Sequence, residues 1–416
     1  MLWSERTILA VVLAFGAAAR ASEKPVSPPK PARERAFATI GGRRYHPFYA
    51  RLIGPHAVVA SGTVYCAIQD SRGRPVVSAY DVDRKAWSAP ATAARRGLGG
   101  DAHGNPALYV DRAGRLHVFY GCHGRAMRHA RTARPHDLTE WVEQKSPCPR
   151  ATYPQVFRLA DGTVCLFYRA GGHTAPWTLL ASGDDCRTWK KPQRILEMRL
   201  KPRHPRAAAY AHFFPGREGK TIHCFWNYKE DDRRKHPKQY AGLHEAVYRF
   251  NIYYVRRGAD GKWTNAAGEP VALPVSKAAC DAGCMVYDSG DLFAYPGAHA
   301  TDEDGRPYVS IRTGVQDWAG SRKVLVPMKR KFATWRGGKW LVVDGEPADD
   351  SPADVRAVLT GRGEAAYAAP PDGPGGISYD DRWFIFYRHE PAPTAIWLLH
   401  DGAGYADRPD GPVRLP

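Results

Sequence analysis

Short apolar runs alternate with polar turns along most of this chain, and the runs are too short to be helices. Val58–Ala60, a Ser61-Gly62 turn and Thr63–Gln69 form the first such pair. Asn105–Val110, the polar Asp111-Arg112-Ala113-Gly114 and Arg115–Tyr120 repeat it. So do Tyr153–Leu159 and Thr163–Tyr168 around Asp161-Gly162, and Gly376–Tyr379 and Arg382–Tyr387 around Asp380-Asp381. Asp304-Gly305 introduces a further strand, Arg306–Ile311. β-Branched and aromatic runs bounded by Gly or Asp predict β-hairpins. Third strands follow, each leading to a tryptophan: Pro75–Asp81 to Trp87, Thr178–Ser182 to Trp189, and Phe250–Arg256 to Trp263.

These units recur near residues 55, 105, 153, 210, 292, 355 and 376, a spacing that suits one small sheet each. The pattern predicts an all-β chain, a seven-bladed β-propeller with four-stranded antiparallel blades, residues 36–50 completing the last blade. The stretch Ser182-Gly183-Asp184-Asp185-Cys186-Arg187-Thr188-Trp189 has the form of an Asp-box, with Cys186 in the glycine place. Such boxes are turns between outer strands, so a structural role is expected there.

The N-terminus changes the picture of where the chain works. Ile8–Ala19 is apolar, too short for the ~20 residues that span a bilayer, and Ala19-Arg20-Ala21 is an A-x-A cleavage site. Residues 1–21 read as a signal peptide, 22–36 as a basic, Pro-rich disordered leader and 37–416 as a single propeller domain. A secreted or periplasmic protein with no membrane span is expected. The net charge of +18 then points away from nucleic acid and toward an acidic extracellular polymer. The eight cysteines, Cys66, Cys122, Cys148, Cys165, Cys186, Cys224, Cys280 and Cys284, are permitted to pair on that route, in a pattern that spacing alone leaves open. A monomer is expected.

In a propeller, residues just before the first strand and just after the second strand of each blade converge at one end of the channel. Here those positions hold His103 and His123, Tyr153, Tyr168 and Arg169, Tyr210 and His212, Asn227 and Tyr228 with Arg206 just upstream, His299 and Arg312, and finally Tyr387, Arg388 and His389. Recurrent His, Tyr and Arg suit β-elimination on a uronate. A base removes the C5 proton, a cation neutralises the carboxylate, and an acid protonates the leaving oxygen. Glycosidases need two facing carboxylates, and Asp101 and Asp291 are the only acids near that face. A polysaccharide lyase is therefore the first reading. A glycoside hydrolase such as an α-L-rhamnosidase, or a non-catalytic carbohydrate-binding propeller, is the alternative.

The runs Asp101-Ala102-His103-Gly104-Asn105-Pro106-Ala107-Leu108, Gly114–Gly124, Thr152-Tyr153-Pro154-Gln155 and Leu166-Phe167-Tyr168-Arg169 resemble the BNR-repeat family that contains propeller ulvan lyases. Arg249–Tyr254 and Asn265–Pro270 fit as well, so the resemblance covers roughly residues 50–315. It implies His103 and His123 as the active-site histidines, Tyr168 as the catalytic tyrosine and Tyr228 as a further substrate tyrosine. Arg169 or Arg206 would neutralise the uronate. It implies no cofactor for catalysis. It does imply a structural zinc, for which His223, Cys224, His244, Cys280 and Cys284 are the candidate ligands. A Cys280–Cys284 disulfide, or two free thiols, is the alternative for that pair.

Overall fold

Three hairpins turn on the same five-residue pattern, Asp-x-x-Gly-Arg, at Asp70–Arg74, Asp111–Arg115 and Asp302–Arg306. In the computed structural model of the chain, each aspartate carboxylate accepts the backbone amide of the closing arginine, at 2.8, 2.7 and 2.8 Å. The glycine of each turn has a positive φ, 74°, 79° and 72°, where any side chain is strained. At Gly114 an added Cβ would also meet the His136 ring at 2.3 Å. The turn residues thereby set the register of the strands they join.

The structure describes residues 52–198, 207–230 and 248–351, apart from positions 71, 85, 291, 320 and 321. It also describes the strand backbones at 378–380, 383–388, 395–400 and 413–414. Within them six antiparallel sheets follow one another along the chain. The first joins Ala57–Ala60, Thr63–Gln69, Pro75–Asp81 and Ala86–Trp87, with Ala91–Thr92 added beside the third strand. The second joins Ala107–Val110, Leu116–Tyr120, Arg128–Thr132 and Trp141–Gln144. The third joins Ala151–Arg158, Val164–Arg169, Trp177–Ser182 and Gln193–Leu196, and receives His123–Arg125 at its inner edge. The fourth joins Ala207–Pro215, Ile222–Glu230, Tyr248–Arg257 and Trp263–Thr264, with Met285–Tyr287. The fifth joins Phe293–Thr301, Pro307–Ala319, Arg322–Arg336 and Lys339–Asp344. The sixth joins Ser378–Asp380, Trp383–Arg388, Ala395–His400 and Val413–Arg414.

The hairpins expected from the apolar runs are present, with one difference of length. The strand expected over Arg306–Ile311 continues to Ala319, because Arg312–Ala319 keeps its pairing with Arg322–Arg330 after an irregularity at Gly314. The unit expected near residue 355 and the segment 36–50 lie outside the described residues. The helix Lys277–Gly283 is capped by Ser276, whose side chain accepts the Ala279 amide. No described helix is long and apolar enough to cross a membrane.

The first strands of the first four sheets, and that of the sixth against the first, lie beside one another. The apolar cores sit between consecutive sheets. Phe167 of the third sheet stacks on Phe213 of the fourth, 4.0 Å apart and 5° from parallel. Each ring buried this way contributes roughly 1.5–3 kcal/mol. The Asp-box ties sheets together in the way a structural turn should. Asp184 accepts the Thr188 amide and hydroxyl at 2.9 and 2.6 Å, and Asp185 accepts Tyr109 and Arg112 of the second sheet at 3.0 and 2.8 Å. Cys186, in the glycine place, has the positive φ of 67° that a glycine would supply there.

Candidate active site

The loop before the second sheet bends through a single 3-10 turn, Ala102–Gly104, capped by Asp101. Asp101 accepts the His103 amide at 3.0 Å and the His103 Nδ1–H at 2.6 Å on the same oxygen. Its second oxygen accepts His123 Nδ1–H at 2.7 Å. His123 reaches this point because it opens the short strand that leaves the second sheet and pairs with Thr152 of the third. The two imidazoles stack with centroids 3.8 Å apart. Partial burial pushes the Asp101 carboxyl up, but the three N–H donors outweigh that and hold it at about 2. It is an anion at any working pH, so each histidine must carry its proton on Nδ1.

That tautomer leaves His103 Nε2 as an acceptor, and the Tyr153 hydroxyl donates to it at 3.0 Å. A bulge in the strand brings Tyr153 there. Pairing of the first and second strands of the third sheet slips between Thr152 and Gln155, and Tyr153 takes a φ of 63°. A tyrosine in that region costs roughly 1–3 kcal/mol and persists only where neighbours over-determine it. They do so here. Thr152 Oγ1 donates to Gly171 O and accepts Gly124 N. Gln155 Nε2 donates to Leu52 O and Ala211 O, and its Oε1 accepts the Phe213 amide.

Over the Tyr153 ring stands Arg169, its guanidinium carbon 4.7 Å from the ring centre and 5.5 Å from that of Tyr210. Arg169 is 1% exposed, yet its Nε and Nη1 have no acceptor among the described residues. Burial lowers the His103 pKa below the ordinary imidazole value, and the positive charges of His123 and Arg169 add to this against the pull of Asp101. His103 therefore stays neutral near pH 7. Near the Tyr210 ring also stand Lys229, which contacts His173, and Arg249, 3.9 Å from the ring centre. Burial pushes the Tyr210 phenol up, but Arg249, Arg169 and Lys229 outweigh it and leave it below the ordinary phenol value.

The structure thus brings together His103, His123, Tyr153, Arg169 and Tyr210 of the expected positions, with Asp101 joining the two histidines. It does not bring Tyr168 with them. Tyr168 precedes Arg169 in a regular strand, so its side chain leaves the opposite face. Burial and then the neighbouring Cys148 raise its phenol, away from the histidines. Tyr153, and not Tyr168, is the tyrosine that meets His103. Tyr228 is also drawn off, its ring 4.8 Å below Lys277 of the helix. Asn227 donates to Ala294 O at 2.8 Å in the wall between sheets, and His212 packs on His299. Arg312 lies further along, 5.8 Å from the Tyr295 ring centre. Arg206 and Asp291 lie outside the described residues.

The candidate zinc ligands separate in the same manner. His223 and Cys224 are neighbours in one strand and face opposite ways. Both His223 nitrogens are engaged, Nδ1 with Tyr254 at 2.6 Å and Nε2 with Thr221 at 2.8 Å. Cys280 Sγ sits 3.9 Å from Met198 Sδ. Cys280 and Cys284 are both thiols in this structure, and His244 lies outside the described residues. Among the described residues these candidates do not bring three ligand atoms within metal-binding reach of one another. Among the described residues the only metal-sized cluster is Asp101, His103 and His123, and its separations are those of charge-assisted hydrogen bonds.

Comparison with known proteins bears on this geometry. Residues 63–341 match the profile of a BNR repeat-containing family member. The chain is 27% identical over 346 residues to an ulvan lyase of Alteromonas sp. (strain LOR), covering 74% of this chain and 69% of that one. It is 25% identical over 316 residues to an ulvan lyase of Pseudoalteromonas sp. (strain PLSV), covering 69% and 62%. The figures for an ulvan lyase of Nonlabens ulvanivorans are 27% over 322 residues, 69% and 65%. The chain thus spans about two thirds of the length of these curated relatives. Two solved structures of a PL25 ulvan lyase, the second bound to a GlcA(1-4)Rha3S unit, match with TM-scores of 0.65 and 0.66 at 22% identity. Each match covers 88% of this chain and 84% of the other, and shows a shared fold.

Proposed function

The chain belongs to the BNR repeat-containing family, and from that premise we propose that it is a polysaccharide lyase that cleaves ulvan by β-elimination at a uronate. Its relatives named ulvan lyase support the substrate. The observation that carries the chemistry is the line Asp101–His103–Tyr153 ending under the unpaired nitrogens of Arg169.

Arg169 receives the uronate carboxylate. A guanidinium fork matches a planar carboxylate, and pairing it there favours the enolate-like charge that forms when C5 loses its proton. The proton path runs through Tyr153. Its hydroxyl proton passes to His103 Nε2 while the phenolate oxygen takes the C5 proton. The imidazolium, held by Asp101, then gives its Nε2 proton to the O4 leaving oxygen as the C4–O bond breaks. The products are a C4–C5 unsaturated uronate and a free hydroxyl, and both residues return to their starting states. His123, 42% exposed and anchored on the same carboxylate, offers Nε2 to the sugar.

A hydrolase is less well served by this site. The described cluster holds one carboxylate, Asp101, and both its oxygens are already taken by histidine N–H groups, whereas a glycosidase needs two free ones.

We extend the proposal to the whole chain. The family and the side-by-side first strands support a closed seven-bladed propeller over residues 37–416, the described sheets being six of its blades. The chain acts as a secreted monomer, cleaved after Ala21, with no metal in the catalytic step. The test is incubation of the purified protein with ulvan and other uronate polymers while following absorbance of the C4–C5 double bond. A rise with ulvan is expected. Reducing sugar released without that absorbance would make it a hydrolase, and binding without either would make it a lectin.

A further inference from the structure

Two arginines beyond Arg169 lie beside the Tyr295 ring, each with an Nε that has no acceptor among the described residues. Arg249 opens the third strand of the fourth sheet, and Arg312 lies in the second strand of the fifth, opposite Tyr295. Arg249 is sandwiched between two tyrosines, its guanidinium carbon 3.9 Å from the Tyr210 ring centre and 4.2 Å from that of Tyr295. Arg312 approaches the Tyr295 ring at 5.8 Å. Arg249 is 9% exposed, and the Nε atoms of both arginines are buried with no hydrogen-bond acceptor among the described residues. Neither forms an ion pair with a described carboxylate. Burial, and then the nearby charges of Arg330 and Arg249, press the Arg312 pKa down.

Buried like charges beside one another are costly unless an anion completes them. The tyrosine faces offset part of that cost, but a π face accepts nothing from an Nε–H. The missing group is an anion with several acceptors. A carboxylate has two oxygens in one plane and is matched by one guanidinium fork, which Arg169 already supplies. Two guanidiniums from different sheets suit a group whose oxygens spread in three directions. We infer that Arg249 and Arg312 form a second anion subsite, which takes the sulfate ester of the sugar next to the uronate held by Arg169. This rests on the lyase reading. The two subsites are adjacent, since Arg169 and Arg249 lie 5.5 and 3.9 Å from the centre of the one Tyr210 ring, and the ligand of the bound relative carries a uronate joined to a 3-sulfated sugar.

The test compares kcat/KM on ulvan and on chemically desulfated ulvan for wild type, Arg249→Gln, Arg312→Gln and Arg169→Gln. Wild type should prefer the sulfated polymer. That preference should collapse on the order of tenfold or more in Arg249→Gln and Arg312→Gln, through KM, as expected for losing charge-assisted hydrogen bonds. Arg169→Gln should lower both rates and keep their ratio. In parallel, thermal melts with inorganic sulfate should show stabilisation of wild type that is lost in Arg249→Gln. Circular dichroism and an Arg249→Lys variant, which keeps the charge, separate this from misfolding. Equal losses on both polymers, or sulfate stabilisation undiminished in the folded variants, would overturn the subsite. If wild type makes no absorbing product from either polymer the lyase reading fails, and the sulfate melts still decide the subsite.

Discussion

Two clusters in this protein each hold one aspartate and two histidines, and they differ in what surrounds them. In the first, Asp101, His103 and His123 keep side-chain exposures of 36, 22 and 42%. In the second, His117 Nδ1 and His129 Nε2 meet at 2.9 Å and His117 Nε2 faces Asp111 at 3.3 Å, with His117 and Asp111 only 1 and 5% exposed. The second cluster closes on itself, since Asp111 also caps a hairpin turn and Phe119 stacks on His129 at 4.5 Å. The first ends on the Tyr153 phenol and, over its ring, on Arg169, two of whose nitrogens have no acceptor among the described residues. Residue type alone does not make a site. A partly exposed titratable pair beside a buried, unsatisfied donor marks a candidate.

The comparison breaks most sharply at His103. His103→Gln keeps a hydrogen bond to Asp101 but cannot take a proton, and should lower kcat by about 10³-fold or more, read as loss of double-bond formation with unchanged circular dichroism. Asp101→Asn is expected to cost roughly 10²–10³-fold, because an amide cannot accept N–H from both histidines and the wrong tautomer results. It also sharpens the pH argument. Wild-type activity should fall only below the ordinary imidazole range, since burial and its cationic neighbours depress the His103 pKa. Asp101 raises that pKa, so its loss should move the acidic limb to still lower pH.

The closed cluster should respond in stability and not in rate. His117→Gln should cost about 1–3 kcal/mol by leaving buried partners unpaired, a fall of a few degrees in Tm, with kcat retained. Burial depresses the pKa of His117, of His129 and of His223, the last to about 3. Below the ordinary value of 6.5 the unfolded chain binds protons that the folded chain refuses, so stability declines as pH falls from there toward those depressed values. A series of urea melts from pH 7 to pH 4 measures it. In His117→Gln the slope should be shallower.

Much of the fold was legible because its turns are spelled out. Asp111-Arg112-Ala113-Gly114-Arg115 needs its aspartate to cap and its glycine at positive φ, and the flanking runs alternate cleanly. His103, His123 and Arg169 were legible as polar residues at strand ends facing one mouth. Tyr153 meets His103 because a one-strand bulge re-aims it, and nothing in Thr152-Tyr153-Pro154-Gln155 announces a φ of 63° short of the fold itself. The separation of His223 from Cys224 could have been read from strand alternation. Arg249 stands at the start of a third strand, outside the positions at the ends of first and second strands. The loop leaving a second strand also enters the third, so third-strand starts share that face.

The central claim is that Tyr153, not Tyr168, passes the proton. The most direct measurement is the rate of double-bond absorbance on ulvan for Tyr153→Phe and Tyr168→Phe side by side. Both changes remove one hydroxyl and keep the ring. Loss of about 10²–10⁴-fold in Tyr153→Phe, with Tyr168→Phe near wild type, is the predicted result. Retained activity in Tyr153→Phe, or the loss falling on Tyr168→Phe instead, would contradict it.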